Sequence, residues 1–248
     1  MIVQACLNGG RAPGFHPRVP VTPDAIVADA AAAVAAGAHE VHLHVRNTAG
    51  RETLAPAVVD PLLANLRAAL PGTLIGISTR ERIEQDDDRR LACIEAWHDV
   101  PDYASVNLSE PGAPAVIERL RRRGIAVEAG LWNAADAARL AALGLGRHCL
   151  RLLVEIRAAD GPAAIAAADA VVAELDRAGL RRPILLHGYD ASAWPLVEHA
   201  AARRISTRIG LEDIKTMPDG TLAADNAALV HAALAIMRPA GAKAWFCA

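Results

Sequence analysis

The feature that most constrains this chain is an eightfold alternation of short β-rich runs and longer alanine-rich stretches. The predicted strands cover residues 2–8, 40–45, 73–78, 103–108, 125–129, 148–155, 183–188 and 204–210. The predicted helices lie near residues 22–36, 56–70, 86–98, 112–123, 133–143, 161–179, 190–202 and 223–237. Eight strands that are each followed by a helix predict an α/β fold, the (β/α)8 TIM barrel. A doubly wound open sheet is the alternative, but it would expose edge strands, whereas the first and last runs have the composition of buried strands.

Local signals at the ends of the predicted helices support this division of the chain. Thr22 precedes Pro23 and Asp24, which gives an N-cap followed by proline at the first helical position. Glycines stand where four helices should stop, at Gly37, Gly124, Gly144 and Gly179. Because no stretch has the composition of a linker, we expect residues 1–248 to form a single domain.

The composition restricts the class of partner. The 248 residues carry 26 basic and 28 acidic side chains, so the chain lacks the excess of positive charge that would favour binding to nucleic acid. The charged runs 85–90 and 119–124 are expected at helix ends rather than in binding patches. Acidic residues interrupt the alanine-rich runs before they reach membrane-spanning length, and the N-terminus lacks the pattern of a secretory signal. We therefore expect a cytoplasmic protein that binds neither nucleic acid nor a membrane. The sequence contains no CxxC pair, because its four cysteines are far apart, at Cys6, Cys93, Cys149 and Cys247.

The stretch HEVHLHVRN, around the second predicted strand, places two imidazoles on one side of a strand. Side chains alternate between the two faces of a strand, so His42 and His44 share a face and the aliphatic residues beside them share the other. Active sites of barrels lie at the C-terminal ends of the strands, where these histidines are expected. Two neutral imidazoles aimed at one point are suitable ligands for Zn²⁺ or a similar divalent ion.

A third ligand has to come from another strand. The last predicted strand continues into the segment TRIGLEDIKTMPDG, in which Arg208, Gly210 and Glu212 share one phase. The Glu212 carboxylate could complete a His₂Glu set that leaves an open position for substrate. His187, at the end of the seventh predicted strand, is a rival third ligand. The LED segment could also be no more than the N-cap of a short helix.

Polar residues end several other predicted strands, which suggests a site on that rim, although any one of them could fill a layer of the barrel with a local hydrogen bond. Arg11 and the neighbouring glycine amides could bind an anion. A Schiff-base mechanism lacks a lysine at a strand end, because Lys215 lies in a loop beyond the eighth strand, and Cys6 has no evident activating partner. The polar strand ends are Asn8, Ser78, Asn107, Glu128 and Arg208.

Six motifs together resemble those of the β-keto acid cleavage enzymes, and they extend the likeness from Cys6 to about residue 230. The resemblance implies a zinc-dependent (β/α)8 barrel that transfers the acyl part of a β-keto acid to acetyl-CoA, giving acetoacetate and a new acyl-CoA. It also implies a homo-oligomer, a dimer or tetramer. The motifs are VHLHVR (41–46), HPRVPVTP (16–23), SVNLSEPG (105–112), VEAGLW (127–132), LLHG (185–188) and TRIGLED (207–213).

The same resemblance assigns roles to individual residues. His42 and His44 match the family's HxH zinc ligands, and Glu212 matches its third protein ligand. Arg208 and Asp213 match the arginine and aspartate that assist proton removal and orient the reaction with acetyl-CoA.

The resemblance also places Ser78, Asn107 and Glu128 in the substrate pocket. After the first strand, the prototype of the family carries an acidic residue that recognises the amino group of its substrate, whereas this chain has Arg11 nearby. The third strand ends in STRER, where a glycine is commoner. By charge complementarity, an arginine suits a neutral or anionic keto acid better than a cationic one.

Two alternatives remain open at the level of sequence. The first is a metal-dependent hydrolase or aldolase on the same barrel that does not use CoA. The second is a barrel that retains a metal ion but serves as a sensor or binding subunit. The presence of Arg208, Glu212 and Asp213 argues for an enzyme over the second alternative.

Overall fold

The computed structural model describes residues 1–12, 14–84, 86–158 and 160–238, so Cys247 lies outside the described residues. Eight parallel strands form a closed barrel in chain order, which confirms the predicted TIM barrel. The strands are β1 (Val3–Cys6), β2 (Glu40–Leu43), β3 (Leu74–Ser78), β4 (Tyr103–Asn107), β5 (Ala126–Leu131), β6 (Arg151–Ile156), β7 (Ile184–Gly188) and β8 (Ser206–Ile209). The helices are α1 (Pro23–Ala35), α2 (Pro56–Ala69), α3 (Asp87–Ala96), α4 (Ala113–Arg122), α5 (Ala134–Ala142), α6 (Gly161–Arg177), α7 (Ala193–Arg203) and α8 (Asn226–Met237).

Strands β1 and β8 close the barrel, with Val3 in register with Thr207. The prediction that the second strand reaches residue 45 is too long, because the Asn8 side chain replaces the strand pairing beyond Leu43. The backbone N–H of His44 donates to Asn8 Oδ1 at 2.8 Å, and Asn8 Nδ2 donates to the His44 carbonyl at 3.0 Å. This amide clamp holds the backbone of His44 after the strand ends. Asn8 is therefore a structural residue of the rim.

The helix ends follow the sequence signals. Thr22 Oγ1 accepts a hydrogen bond from the backbone of Ala25, and Asp86 caps α3 in the same way. The described part of the charged run at 85–90, from Asp86 onward, therefore begins a helix, and Gln85 lies outside the described residues. The basic run at 119–124 ends α4. No helix in the described part of the chain is long and apolar enough to cross a membrane. Four glycines that follow helices have positive φ angles, as a left-handed C-terminal position requires, and these are Gly37, Gly124, Gly144 and Gly179.

The lower barrel interior, toward the N-terminal ends of the strands, contains a buried ionic cluster in place of the usual branched apolar residues. Arg151 Nε lies 2.8 Å from Glu128 Oε2, and Arg151 Nη2 lies 2.5 Å from Glu40 Oε1. Gln4 Nε2 donates to both carboxylates and to the hydroxyl of Tyr103. The cluster fills the space below the rim, so the cavity that could admit a ligand lies above it.

Candidate functional site

Three buried side chains converge on one point: His42 lies in β2, His44 directly follows β2, and Glu212 lies in the turn after β8. The possible ligand atoms of His42, His44 and Glu212 all lie within 4.8 Å of one another. His44 Nε2 is 3.6 Å from Glu212 Oε1, and His42 Nε2 is 4.0 Å from Glu212 Oε2. The structure therefore brings together the three residues predicted to bind a metal. Two imidazole nitrogens and a carboxylate form a donor set that suits a catalytic zinc ion.

The protonation states of His42 and Glu212 suit a cation. Burial lowers the pKa of His42 to about 3, so its imidazole is neutral and has a lone pair to donate. Although burial favours the neutral acid, Arg208 and His44 hold the pKa of Glu212 well below its usual range. Glu212 Oε2 is buried and has no hydrogen-bond partner among the residues that the structure describes. Because such atoms are nearly always paired in folded proteins, this oxygen indicates a missing cationic partner, and the donor set fits one.

The remaining ring nitrogen of His44 is held by a residue that the sequence analysis did not single out. Glu52, in the loop after β2, contacts His44 Nδ1. A carboxylate on this nitrogen fixes the orientation of the ring and raises the basicity of Nε2. On the other side of the trio, Gly9 has a φ of +52°, and a Cβ added there would overlap the Glu212 side chain. Only glycine allows the chain to pass so close to the carboxylate.

Arg208 links the trio to Asp213. Its Nη2 lies 2.9 Å from Glu212 Oε1 and 3.3 Å from Asp213 Oδ1, and its side chain is fully buried. Burial opposes the charge, but the surrounding acidic groups raise the pKa of Arg208 well above its usual value. The guanidinium is thus a fixed positive charge beside the ligand position. Such a charge can stabilise an oxyanion that forms there.

His187 belongs to a second branch of this charged network and not to the trio. Its Nδ1 is 3.2 Å from Asp213 Oδ1, and its Nε2 is 3.6 Å from Glu155 Oε2. The rival assignment of His187 as the third ligand is therefore not supported by the geometry. His16 is also buried, and its Nε2 pairs with the Ala223 carbonyl at 2.9 Å, so it anchors a loop.

The ligand position opens through two connected cavities. The inner one, of about 20 Å³, is lined by the trio together with Ser78 and Asn107. The outer one, of about 250 Å³, shares Glu212 with the inner cavity and leads to the surface. Several residues that line the inner cavity were not predicted from the sequence. One of them, Glu155, had a detectable signal, because it shares the inward-facing phase of the sixth predicted strand with Arg151. The lining residues missed are Ser105, Glu155, Arg157 and Tyr189.

Arg11 lines the outer cavity, but its guanidinium is already engaged. Its Nε donates to the Glu212 carbonyl at 2.8 Å, and Nη2 donates to the Asp213 carbonyl at 2.8 Å. The same Nη2 lies 3.0 Å from Asp190 Oδ1. Arg11 thus ties the loop after β1 to the segment after β8. These contacts lie within the protein, and the binding of an anion by Arg11 stays a prediction.

Glu128 is the predicted pocket residue that the structure does not bring to either cavity. The sequence analysis ended the fifth strand at residue 129, but β5 runs on to Leu131, which leaves Glu128 in the middle of the strand. Its carboxylate is fully buried against Arg151 in the lower ionic cluster. The correction has a simple physical cause. In a parallel barrel, the position of a side chain along its strand decides its depth below the rim.

Comparison with known proteins agrees with this architecture. The profile of the family described as BKACE: beta-keto acid cleavage enzyme matches residues 1–245. The chain is 33% identical over 92 residues to the 3-keto-5-aminohexanoate cleavage enzyme of Acetoanaerobium sticklandii, covering 37% of this chain and 34% of that protein. It is 37% identical over 62 residues to a dihydroorotate dehydrogenase (quinone) of Shewanella sediminis, and the match covers 23% of this chain and 18% of that protein. The aligned segments thus span about a third or less of either relative.

Solved structures share the fold. A ternary complex of ObcA with C4-CoA adduct and oxalate superposes with a TM-score of 0.72 at 18% identity, covering 87% of this chain and 62% of that chain. The 3-dehydroquinate dehydratase of Geobacillus kaustophilus superposes with a TM-score of 0.62 at 11% identity, covering 94% and 91%. At such identities the likeness shows a common barrel and nothing about chemistry.

Proposed function

This chain belongs to the beta-keto acid cleavage enzyme family, and from that premise we propose that it is a zinc-dependent β-keto acid:acetyl-CoA acyltransferase. The observation that carries the proposal is the convergence of His42, His44 and Glu212 beneath an open cavity. A metal site with three protein ligands retains a position for substrate. The trio would hold the ion, and zinc, when bound, would supply a Lewis acid that polarises the keto group and acidifies the hydrogens on C2.

The proposed reaction exchanges acyl groups without any change of oxidation state. A proton leaves C2 of the β-keto acid, and the resulting carbanion attacks the thioester carbonyl of acetyl-CoA and expels CoA. The CoA thiolate then attacks the original keto carbon, and the bond between that carbon and C2 breaks. The products are the new acyl-CoA and acetoacetate, whose C2 regains a proton.

In this scheme Arg208 stabilises negative charge that develops on oxygen during the two carbonyl additions. Its guanidinium is buried and fixed beside Glu212, so little reorganisation is needed when the charge forms. Asp213 lies behind Arg208 and is absent from the lining of the inner cavity. This placement supports the role of a residue that holds Arg208 over that of a group that touches substrate.

Room for a second substrate supports the use of acetyl-CoA. A groove of about 400 Å³ adjoins the outer cavity at Asp190 and runs over the loops that follow β7 and β8. Trp194, Ile214 and Met217 give it an apolar lining, and Lys215 adds a positive charge. An apolar groove with a cation suits a pantetheine arm followed by phosphates.

The test is a coupled assay on the zinc-loaded protein with a panel of β-keto acids, with and without acetyl-CoA. We expect acyl-CoA and acetoacetate in equal amounts, and only when acetyl-CoA is present. Turnover that does not depend on acetyl-CoA would instead support a hydrolase or aldolase. Tight binding without turnover across the panel would support a sensor or binding subunit.

A further inference from the structure

The outer cavity carries more positive charge than its acidic groups balance. Its lining includes four arginines, of which Arg11 pairs with Asp190 and Arg157 pairs with Glu155. The other two have no carboxylate oxygen within 4.0 Å of their guanidinium nitrogens among the described residues. These unpaired guanidinium groups belong to Arg80 and Arg82, in the STRER segment that follows β3.

Arg80 and Arg82 approach each other at Gly10. A Cβ added to Gly10 would overlap Arg82 Nη2 and would lie 3.4 Å from Arg80 Nη1, so both groups point toward the same small space. Glu52 Oε2 is also 3.4 Å from that position. Burial opposes the charge of Glu52, but His44, Arg46 and Arg82 together lower its pKa, so this one carboxylate is shared among three basic groups. Because Gly10 has no side chain, the two guanidinium groups can approach each other beside the outer cavity. A bound anion would offset the repulsion between these like charges.

The two arginines lie on the path from the metal ligands to the surface. Arg80 lines both the inner cavity with the trio and the outer cavity, whereas Arg82 lines only the outer cavity and its neighbour on the surface. A β-keto acid whose carboxylate and ketone lie at the trio would extend its acyl part past Arg80 toward Arg82. The carboxylate that all β-keto acids share is then bound at the trio. An anion that contacts the two arginines must therefore be a second group on the substrate.

We propose that Arg80 and Arg82 select β-keto acids whose acyl part ends in a second carboxylate. This inference rests on the proposed function, because it takes the reacting end of the substrate to lie at the trio. A phosphate of CoA has the same chemistry as the predicted anion, since both offer oxygens to a guanidinium fork. A distal carboxylate is the source we favour, because Arg80 also borders the inner cavity that holds the trio.

The first experiment measures binding without turnover. Calorimetry on the zinc-loaded protein, in the absence of acetyl-CoA, compares a β-keto dicarboxylic acid with the β-keto monocarboxylic acid of equal chain length. We expect the dicarboxylic acid to bind about tenfold more tightly, with the preference shrinking as salt is added. Arg82→Gln should remove most of the preference and leave the monocarboxylic acid within twofold. The matched control is Arg51→Gln, an exposed arginine that lines only the neighbouring surface cavity.

Equal affinity of the wild-type protein for the two acids would overturn the inference, as would an unchanged preference in Arg82→Gln. In the second experiment, KM values are measured with acetyl-CoA and with acetyl-pantetheine, which lacks the nucleotide phosphates. A rise in KM for acetyl-CoA alone in Arg82→Gln would assign the pair to a phosphate and also overturn the inference. If no keto acid reacts but the dicarboxylic acid still binds preferentially, the reaction is wrong and the anion site stands.

Discussion

Glu52 contacts the Nδ1 atom of His44, while Nε2 of the same ring lies 3.6 Å from Glu212 Oε1. The ring is thus held between two carboxylates, one from a loop and one from the segment after β8. Burial opposes a positive charge on the ring, but both carboxylates raise the pKa of His44 in the absence of a cation. A metal ion at Nε2 would replace the proton and leave Glu52 as the group that aims the ring.

Replacing Glu52 should therefore weaken metal binding without removing a ligand. We expect Glu52→Gln to lower zinc affinity by roughly 10- to 100-fold, because outer carboxylates tune histidine ligands by about this much. The affinity is measured by competition with a chromogenic chelator. Glu118→Gln, on the exposed face of α4, serves as the control. An unchanged affinity in Glu52→Gln would show that the contact does not orient the ring.

Removal of both histidines should abolish the metal site. The double variant His42→Ala, His44→Ala loses two of three ligands, so zinc content should fall from about one per chain to background. Inductively coupled plasma mass spectrometry gives the metal content, and circular dichroism checks that the barrel folds. His98→Ala is a suitable control because its ring is 89% exposed. Unchanged zinc in the double variant would refute the ligand assignment.

Arg208 should matter for the reaction more than for retention of the metal. In Arg208→Lys a charge remains beside Glu212, but the planar fork that reaches both Glu212 and Asp213 is lost. We expect kcat to fall by roughly 10²- to 10³-fold with zinc content unchanged, the usual loss on removing an oxyanion donor. The exposed Arg203→Lys is the control. Loss of zinc together with activity would instead show that Arg208 is needed to hold Glu212 in position to bind the metal.

The lower ionic cluster should make a large contribution to stability. Arg151→Met leaves Glu40 and Glu128 buried without their cation, which typically costs about 3–5 kcal/mol in the free energy of unfolding. Removing the exposed pair of Arg181 and Asp176 by Arg181→Met should cost under about 1 kcal/mol. Urea titrations of both variants provide the comparison. Equal, small effects would mean that water reaches the cluster.

Asp29 on α1 should make stability depend on pH. Burial raises its pKa from 3.8 to about 6, although Asn226 donates a hydrogen bond to it. The folded protein holds the proton on Asp29 more tightly than the unfolded chain does, so protonation of this carboxyl contributes to stability. That contribution is complete below pH 3.8 and is lost as the pH rises through about 6. Asp29→Asn should thus be more stable than the wild type above pH 6, by about 1–2 kcal/mol.

The measurement for Asp29 is the melting temperature as a function of pH. The gain in Asp29→Asn should shrink as the pH falls toward 4, because the wild-type carboxyl is then protonated as well. Asp176→Asn, at an exposed position, should show no such convergence. A gain that is constant with pH would exclude titration of Asp29 as the cause.

Much of the candidate site was predictable because it depends on local periodicity. The alternation of side chains along a strand is enough to place His42 and His44 on one face. The choice of Glu212 over His187 as the third ligand came from the family resemblance, because β8 ends at Ile209 and its alternation does not reach residue 212. Glu155 carried a weaker signal from strand alternation. Glu52 carried none, since a loop residue has no periodicity that indicates where its side chain will lie.

The sequence by itself determined the order and type of the elements, because caps, stop glycines and hydrophobic alternation act within a few residues of one another. It also determined which residues could reach the barrel interior. Only the tertiary structure decided their depth, since this depends on where each strand ends and on its register with its neighbours. That is why Glu128 lies with Arg151 below the rim, whereas Arg80 and Arg82, from the segment that follows β3, meet at Gly10 above it.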